Sequence, residues 1–336
     1  MLDTIRVSVQ IFIDEEILDA KWETVTDKPF LKSKCFRFKN GSSIFFTYNV
    51  STLFMTLQFS ASKIQHGTNA IAYDFANHVV VEDNIMTAIE EMTGVNDIEP
   101  HHLHMCRVDL NRDFVFEDED TVNAFMDFAN KILPARCERR NNYETGFTSQ
   151  TVKGNGLRIY RKDKDIHLKK KAREKMKPTV RVEFQMNRKF ATRFYRGRFN
   201  LHQILTNELA AHLVWNKHLA KYGLDKIIVD RKRLDKIAKK YFTETQQKTL
   251  AHMNDVPEFE DKELRRKQLD VFRKMKALGI CPYSCEIDIT LTVNVLEEIL
   301  NFSRRRDIKK WEISSNKLIL KPQSKRRFVK FIDDSS

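Results

Sequence analysis

The chain has little of several things, and each shortage closes off a class. Only 9 glycines and 7 prolines occur in 336 residues, too few for a collagen-like, low-complexity or linker-dominated protein. Five cysteines (Cys35, Cys106, Cys137, Cys281, Cys285) are odd in number. Cys281 and Cys285 stand four apart with no matching pair, so neither a disulfide framework nor a zinc knuckle fits. No run approaches the roughly 20 apolar residues that a membrane span needs. Asp3, Arg6, Asp14, Glu15 and Glu16 interrupt the first residues, unlike a secretory leader. The expectation is reduced thiols, no membrane partner and a cytoplasmic location.

What is abundant is positive charge, net +13. Residues 153–177 carry 11 Lys/Arg against 3 acids, and residues 301–336 carry 11 against 4. Charge so concentrated suits a polyphosphate backbone or another anionic surface. A solvated basic face is the plain alternative.

Apolar alternation predicts strands over 43–48, 53–60, 104–111, 143–149, 156–162 and 179–186. Capping residues predict helices over Asp83–Gly94 and Asp120–Leu133. Half-polar strands alternating with helices give an α+β class, an open, mainly antiparallel sheet with helices on one face, of the ferredoxin or RNA-recognition type. From about Phe190 helical patterns dominate (201–222, 230–241, 243–253, 259–278), followed by a short strand at 286–293, a helix at 294–303 and a basic tail. The expected division is 1–195 as a catalytic domain and 196–336 as a mostly helical accessory domain.

The chemistry is carried by strand parity. Alternate residues of a strand face opposite sides. In Cys106–Asn111 the polar set is Arg107, Asp109 and Asn111, with Cys106, Val108 and Leu110 turned to the core. In Leu157–Lys162 it is Arg158, Tyr160 and Lys162, and in Val180–Gln185 it is Arg181, Glu183 and Gln185. If these strands neighbour one another, an exposed sheet face collects two carboxylates, a phenol, a lysine and three arginines. Hard carboxylate oxygens suit Mg²⁺ or Mn²⁺. Arginines grip phosphate oxygens. A phenol titrating near 10 needs help to ionise, and Arg158 and Lys162 are placed to give it. The bland alternative is a wet sheet face with cross-strand ion pairs.

At these residues the chain resembles the gene II/gene X replication initiators of filamentous phages and, more distantly, the trans-acting plasmid rolling-circle initiators. The match comprises Phe59–Gly67, Arg107-Val-Asp-Leu-Asn111, Glu144-Thr-Gly with Leu157-Arg-Ile-Tyr-Arg-Lys162, and Val180-Arg-Val-Glu-Phe-Gln185, in family order over about residues 40–195. The resemblance implies origin-specific nicking of one DNA strand, a tyrosine linked to the 5′ phosphate, and a 3′ hydroxyl that primes the host polymerase beside a host helicase. Rejoining of the displaced strand follows. It maps the nucleophile to Tyr160 and acidic metal positions to Asp109 and Glu183, with Glu144 and Asp113 ranked below them. Origin duplex and single-stranded DNA are the implied partners.

Four further features bear on the site. His102-Leu103-His104 has the form of a metal-binding pair in another nicking class, but parity puts both on the Cys106/Val108 side. Lys169, Lys170, Lys171 and Arg173 join the Tyr160 and Glu183 strands and are read as backbone grips, with Arg107 and Arg181 beside them. Helices 230–241 and 264–278 are helix-turn-helix candidates. Tyr143 and Tyr195 are the nearest further tyrosines. Two rival readings remain: a non-catalytic module binding nucleic acid, which would want exposed stacking rings, and a water-using metal nuclease.

Overall fold

A computed structural model describes residues 2–69, 71–116, 118–132, 137–151, 155–165, 174, 176–188, 199–226, 228–255 and 262–285. The predicted strand and helix at 286–303, the basic tail and the expected boundary at 195–200 fall wholly or mostly outside these residues, as do Lys169–Arg173 and Tyr195.

The protein is α+β. The strands are β1 (Leu2–Gln10), β2 (Glu23–Val25), β3 (Lys28–Arg37), β4 (Ser43–Asn49), β5 (Phe54–Ser60), β6 (His104–Val115), β7 (Cys137–Tyr143), β8 (Gly146–Thr151), β9 (Gly156–Arg161) and β10 (Thr179–Asn187). They form one ten-stranded open sheet in the order β2-β3-β4-β5-β1-β6-β10-β9-β8-β7. Every neighbouring pair is antiparallel. The helices are α1 (Glu15–Lys21), α2 (Ala61–His66), α3 (His78–Thr93), α4 (Glu119–Asn130), α5 (Leu201–Thr206), α6 (Glu208–Lys221), α7 (Arg231–Tyr241), α8 (Glu244–Asp255) and α9 (Lys262–Ala277). Among the described residues no helix is long and apolar enough to cross a membrane.

Local chemistry accounts for most of the boundaries. Asp118 caps α4 by accepting from the Thr121 amide at 2.7 Å, and Asp230 caps α7 through Arg233 at 2.9 Å. Gly94, at φ 74°, ends α3 as expected. The start of α3 lies five residues before Asp83, because a 3₁₀ turn at Phe75–Asn77 leads straight into it. The single strand predicted at 143–149 is two strands with a turn at 144–145, and the helix predicted over 201–222 breaks at Asn207, whose side chain caps α6.

The sheet's apolar face carries the core. Ile44, Phe46, Leu57, Phe59, Val7, Ile5, Val108, Leu110, Phe184, Val182, Leu157 and Ile159 face the same way, strand by strand, and are buried. Helices pack against this face. Trp22, just past α1, meets Phe46 and Tyr48 and donates to the Met92 carbonyl of α3 at 3.0 Å. Trp215 and Tyr222, in and just after α6, pack on Phe184 with ring centres 4.6 and 5.7 Å away. The helices after the sheet therefore share its core.

Candidate nicking site on the polar face

The three motif strands are neighbours, in the order β6-β10-β9. Their register lays the polar residues out as a grid. Asp113, Arg181 and Tyr160 form one row; Asn111, Glu183 and Arg158 the next; Asp109, Gln185 and Gly156 the third. Tyr160 is thus directly opposite Arg181 and diagonal to Glu183. Glu183 sits between the phenol and Asp109.

Expected to be exposed, the face is instead largely buried. Asp109, Glu183 and Arg181 are each 3% exposed or less. The reason is visible in the arginines. Arg107 donates from Nε and Nη2 to Asp109 Oδ1 and Oδ2 at 2.8 and 2.5 Å, and Arg158 donates to Glu183 Oε1 at 3.1 Å. Both arginine side chains keep about a third or more of their surface in solvent, so they lie over the acids as lids. Arg181 is held from the other side. It donates to both oxygens of Asp113 at 2.5 and 2.7 Å and to the Asn69 carbonyl at 2.9 Å.

Asp3 of β1 joins this cluster without having been singled out. Its carboxylate accepts from Ser60 at 2.9 Å and from Asn111 at 3.1 Å, and lies 3.7 Å from Arg181 Nη1. The alternation Leu2, Ile5, Val7, Val9 was there to be read as a strand. A register shift between Leu2 and Ile5 is what turns Asp3 to the polar face.

Electrostatics at the site oppose ionisation. Burial raises the Tyr160 phenol well above its usual range, and Glu183 and Asp3 add to it; Arg181 and Arg158 work the other way. The Arg158 guanidinium is 5.5 Å and Lys162 Nζ 6.0 Å from the ring centre. Burial and the two carboxylates outweigh the help of Arg181 and Arg158. Lys162 is fully buried, its Nζ 2.6 Å from Asp165 and 3.3 Å from Asn69, and burial lowers its pKa. It is committed inside the fold instead of reaching for phosphate. Burial likewise raises Asp109 and Glu183, with mutual repulsion adding to Asp109 and Asp3 adding to Glu183.

Glu144 stands apart. It is exposed in the β7–β8 turn, and among the described residues no third His, Cys, Asp or Glu donor joins Asp109 and Glu183 within 4.8 Å. The fit of a divalent cation rests on Asp109 and Glu183 themselves: two hard, buried oxygen donors whose ionised forms a cation would favour, with water completing the shell.

The histidine pair departs from parity. Cys106 is an extra residue in a bulge: Arg6 pairs Arg107, Val7 pairs Met105 and Ser8 pairs His104. Met105 takes the core position expected of Cys106, whose sulfur rests 3.1 Å from the Ser8 hydroxyl. The shift turns His104 onto the Asp109 side. His102 lies in an exposed 3₁₀ turn, its Nδ1 accepting from the Glu99 amide at 3.1 Å.

The glycine of the Glu144-Thr-Gly motif has a steric role. Gly146 pairs Tyr160 across the β8–β9 ladder at φ 156°, and a Cβ there would fall 2.2 Å from the Ile159 carbonyl oxygen and 2.6 Å from Tyr160 Cα. Only glycine lets β8 approach the tyrosine this closely. Tyr143 is in the same row, one strand further out and 58% exposed. The two basic helices proposed to read DNA, α7 and α9, each pack against α8, which follows α7 after two residues.

No known protein family matches the sequence, and no curated protein does. In structure the chain is similar to a rolling circle replication initiator protein from Geobacillus stearothermophilus, at 13% identity, over 66% of this chain and 84% of that one, with a TM-score of 0.37. A likeness of that size assigns no activity.

Proposed function

We propose that the chain is a rolling-circle replication initiator of the kind its motifs resemble, cutting and rejoining one DNA strand at its origin through Tyr160. The observation that carries this reading is the grid itself. A phenol opposite a buried arginine and diagonal to a buried carboxylate, with a second arginine against its ring, is a costly arrangement for a merely wet sheet face. A module that only binds bases would present rings, and in this grid Tyr160 is the only one.

In the proposed step the Tyr160 oxygen bonds to the scissile phosphorus, its proton passing to a nearby carboxylate or to water. The bond from phosphorus to the 3′ oxygen breaks, and that oxygen takes up a proton. Attack by a 3′ hydroxyl on the phosphotyrosine reverses the sequence, so rejoining needs no nucleotide cofactor. Mg²⁺ or Mn²⁺ held by Asp109 and Glu183 would polarise the phosphate and offset its developing charge. The chain's own contribution is Arg181, whose buried Nη1 has no hydrogen-bond partner and lies beside Asp3 in front of Tyr160. Arg107 and Arg158 exchange their carboxylates for backbone phosphates as DNA arrives. Lys169, Lys170, Lys171 and Arg173, in the sequence between β9 and β10, are read as further backbone grips, and their replacement by glutamine lowers the salt dependence of binding.

The test is incubation of the protein with single-stranded origin DNA and Mg²⁺ or Mn²⁺, followed by a denaturing gel. A protein–DNA adduct that vanishes in Tyr160→Phe is the expected result. Cleavage without an adduct favours a water-using nuclease, and binding alone favours the module. The 3′ hydroxyl left by the nick is then the primer for the host polymerase, with a host helicase opening the duplex.

A further inference from the structure

On the helical side of the sheet, three side chains converge that the nicking chemistry does not use. His78 and Glu82 are one turn apart on α3 and so share a face. His202, the second residue of α5, meets them from a distant part of the chain, its Nδ1 2.8 Å from Glu82 Oε1. The two imidazoles stand edge to face with centres 5.8 Å apart. One donor atom from each of the three residues lies within 4.8 Å of the other two, and among the described residues no other His, Cys, Asp or Glu trio does so.

We propose that His78, Glu82 and His202 bind a transition-metal ion, zinc by preference, that fastens α5 to α3. Two imidazoles and a carboxylate are a familiar zinc donor set, with water in the fourth position. Imidazole nitrogens select such a metal over Mg²⁺, which wants an all-oxygen shell. The orientation of His78 is already fixed for the task. Its Nδ1 is 3.2 Å from the Phe75 carbonyl oxygen, which can only accept. Nδ1 therefore carries the proton, and Nε2 presents its lone pair, the arrangement by which a backbone carbonyl orients a metal-bound histidine. Glu82 is 9% exposed, while the His202 side chain keeps 52% of its surface in solvent, so the anionic donor is inside and the entry path is on the water side. Binding replaces the proton that His202 and Glu82 share by the cation.

The position gives the ion a purpose. Tyr73, just before α3, donates to the Leu205 carbonyl at the end of α5 at 3.1 Å, so the two segments already touch. A metal adds to these contacts a cross-link between the sheet's own helical layer and the helices that follow the sheet. It acts independently of the polar face where Tyr160 lies.

The full-length protein, stripped with a chelator, is titrated with Zn²⁺ and, separately, with Co²⁺ as a coloured substitute. One equivalent per chain is expected, with the visible bands of a tetrahedral cobalt site and a rise in melting temperature on adding zinc. His202→Ala and His78→Ala weaken binding by at least the ~10–100-fold that loss of a supporting contact alone costs. Glu82→Gln, which keeps the shape of the side chain, weakens it as well. The double variant His101→Ala/His102→Ala, and Tyr160→Phe, bind as the parent does. Absence of stoichiometric zinc, or binding that persists in a folded His202→Ala protein, overturns the proposal; so does loss of binding in the His101/His102 variant.

Discussion

The two halves of the sheet's polar face are built from the same strand geometry and come out opposite. On β4, β5 and β1 the row Phe45, Gln58, Arg6 is open to solvent, Phe45 keeping 49% of its surface. On β6 and β10 the corresponding positions hold Asp109, Asn111, Arg181 and Glu183, all buried. Solvent covers the first half, and paired charges cover the second. Alternation marks which residues share a face, whereas burial of that face depends on whether its side chains are long enough and oppositely charged enough to shield one another.

Four measurements probe that difference. The largest effect is expected at Arg181. Its removal in Arg181→Ala takes the cation from buried Asp3 and from the more exposed Asp113, and leaving a buried charge unpaired costs up to about 3–5 kcal/mol, read by chemical denaturation. Of similar size, Phe184→Ala on the apolar side costs about 3–5 kcal/mol, since it takes away the ring on which Trp215 and Tyr222 pack. Equal losses from the two faces would show that the polar half is as tightly built as the core.

Glu183→Gln moves the other way. A carboxylate whose folded pKa is raised keeps its proton longer in the folded chain than in the unfolded one. Stability is then greatest below the ordinary carboxylate range and falls as pH rises through the raised folded value. Removing the charge should stabilise the metal-free protein above that range by about 1 kcal/mol, roughly 2 °C in melting temperature, and flatten the pH dependence, while adduct formation is lost. A Glu183→Gln protein that melts lower than the parent at neutral pH contradicts this account. The smallest effect belongs to the open half: Gln58→Ala should stay within about 0.5 kcal/mol.

Much of this site was legible beforehand, and its failures have physical causes. The motif strands and the polar parity of Asp109, Tyr160 and Glu183 follow from period-two alternation, whereas their adjacency was a condition that the strand order β6-β10-β9 supplies. Burial of the acids did not, because it comes from Arg107 and Arg158 folding back over them. Asp3 precedes the strands that alternation predicts, and a register shift decides its face. Parity puts His104 on the wrong face because it assumes an unbroken ladder. The His78–Glu82–His202 cluster joins residues more than a hundred positions apart, and no short spacing announces it.

The bulge at Cys106 has a consequence for how β6 can change. It is a half-period phase slip, so His104 and Arg107, an odd number of steps apart, address the same surface. Substitution at Cys106 leaves that phase alone. Deletion of Cys106 would restore the beat and leave both neighbours where they are, Met105 opposite Val7 in the core and His104 opposite Ser8 beside the arginines. The slip is carried by the added length and not by the thiol.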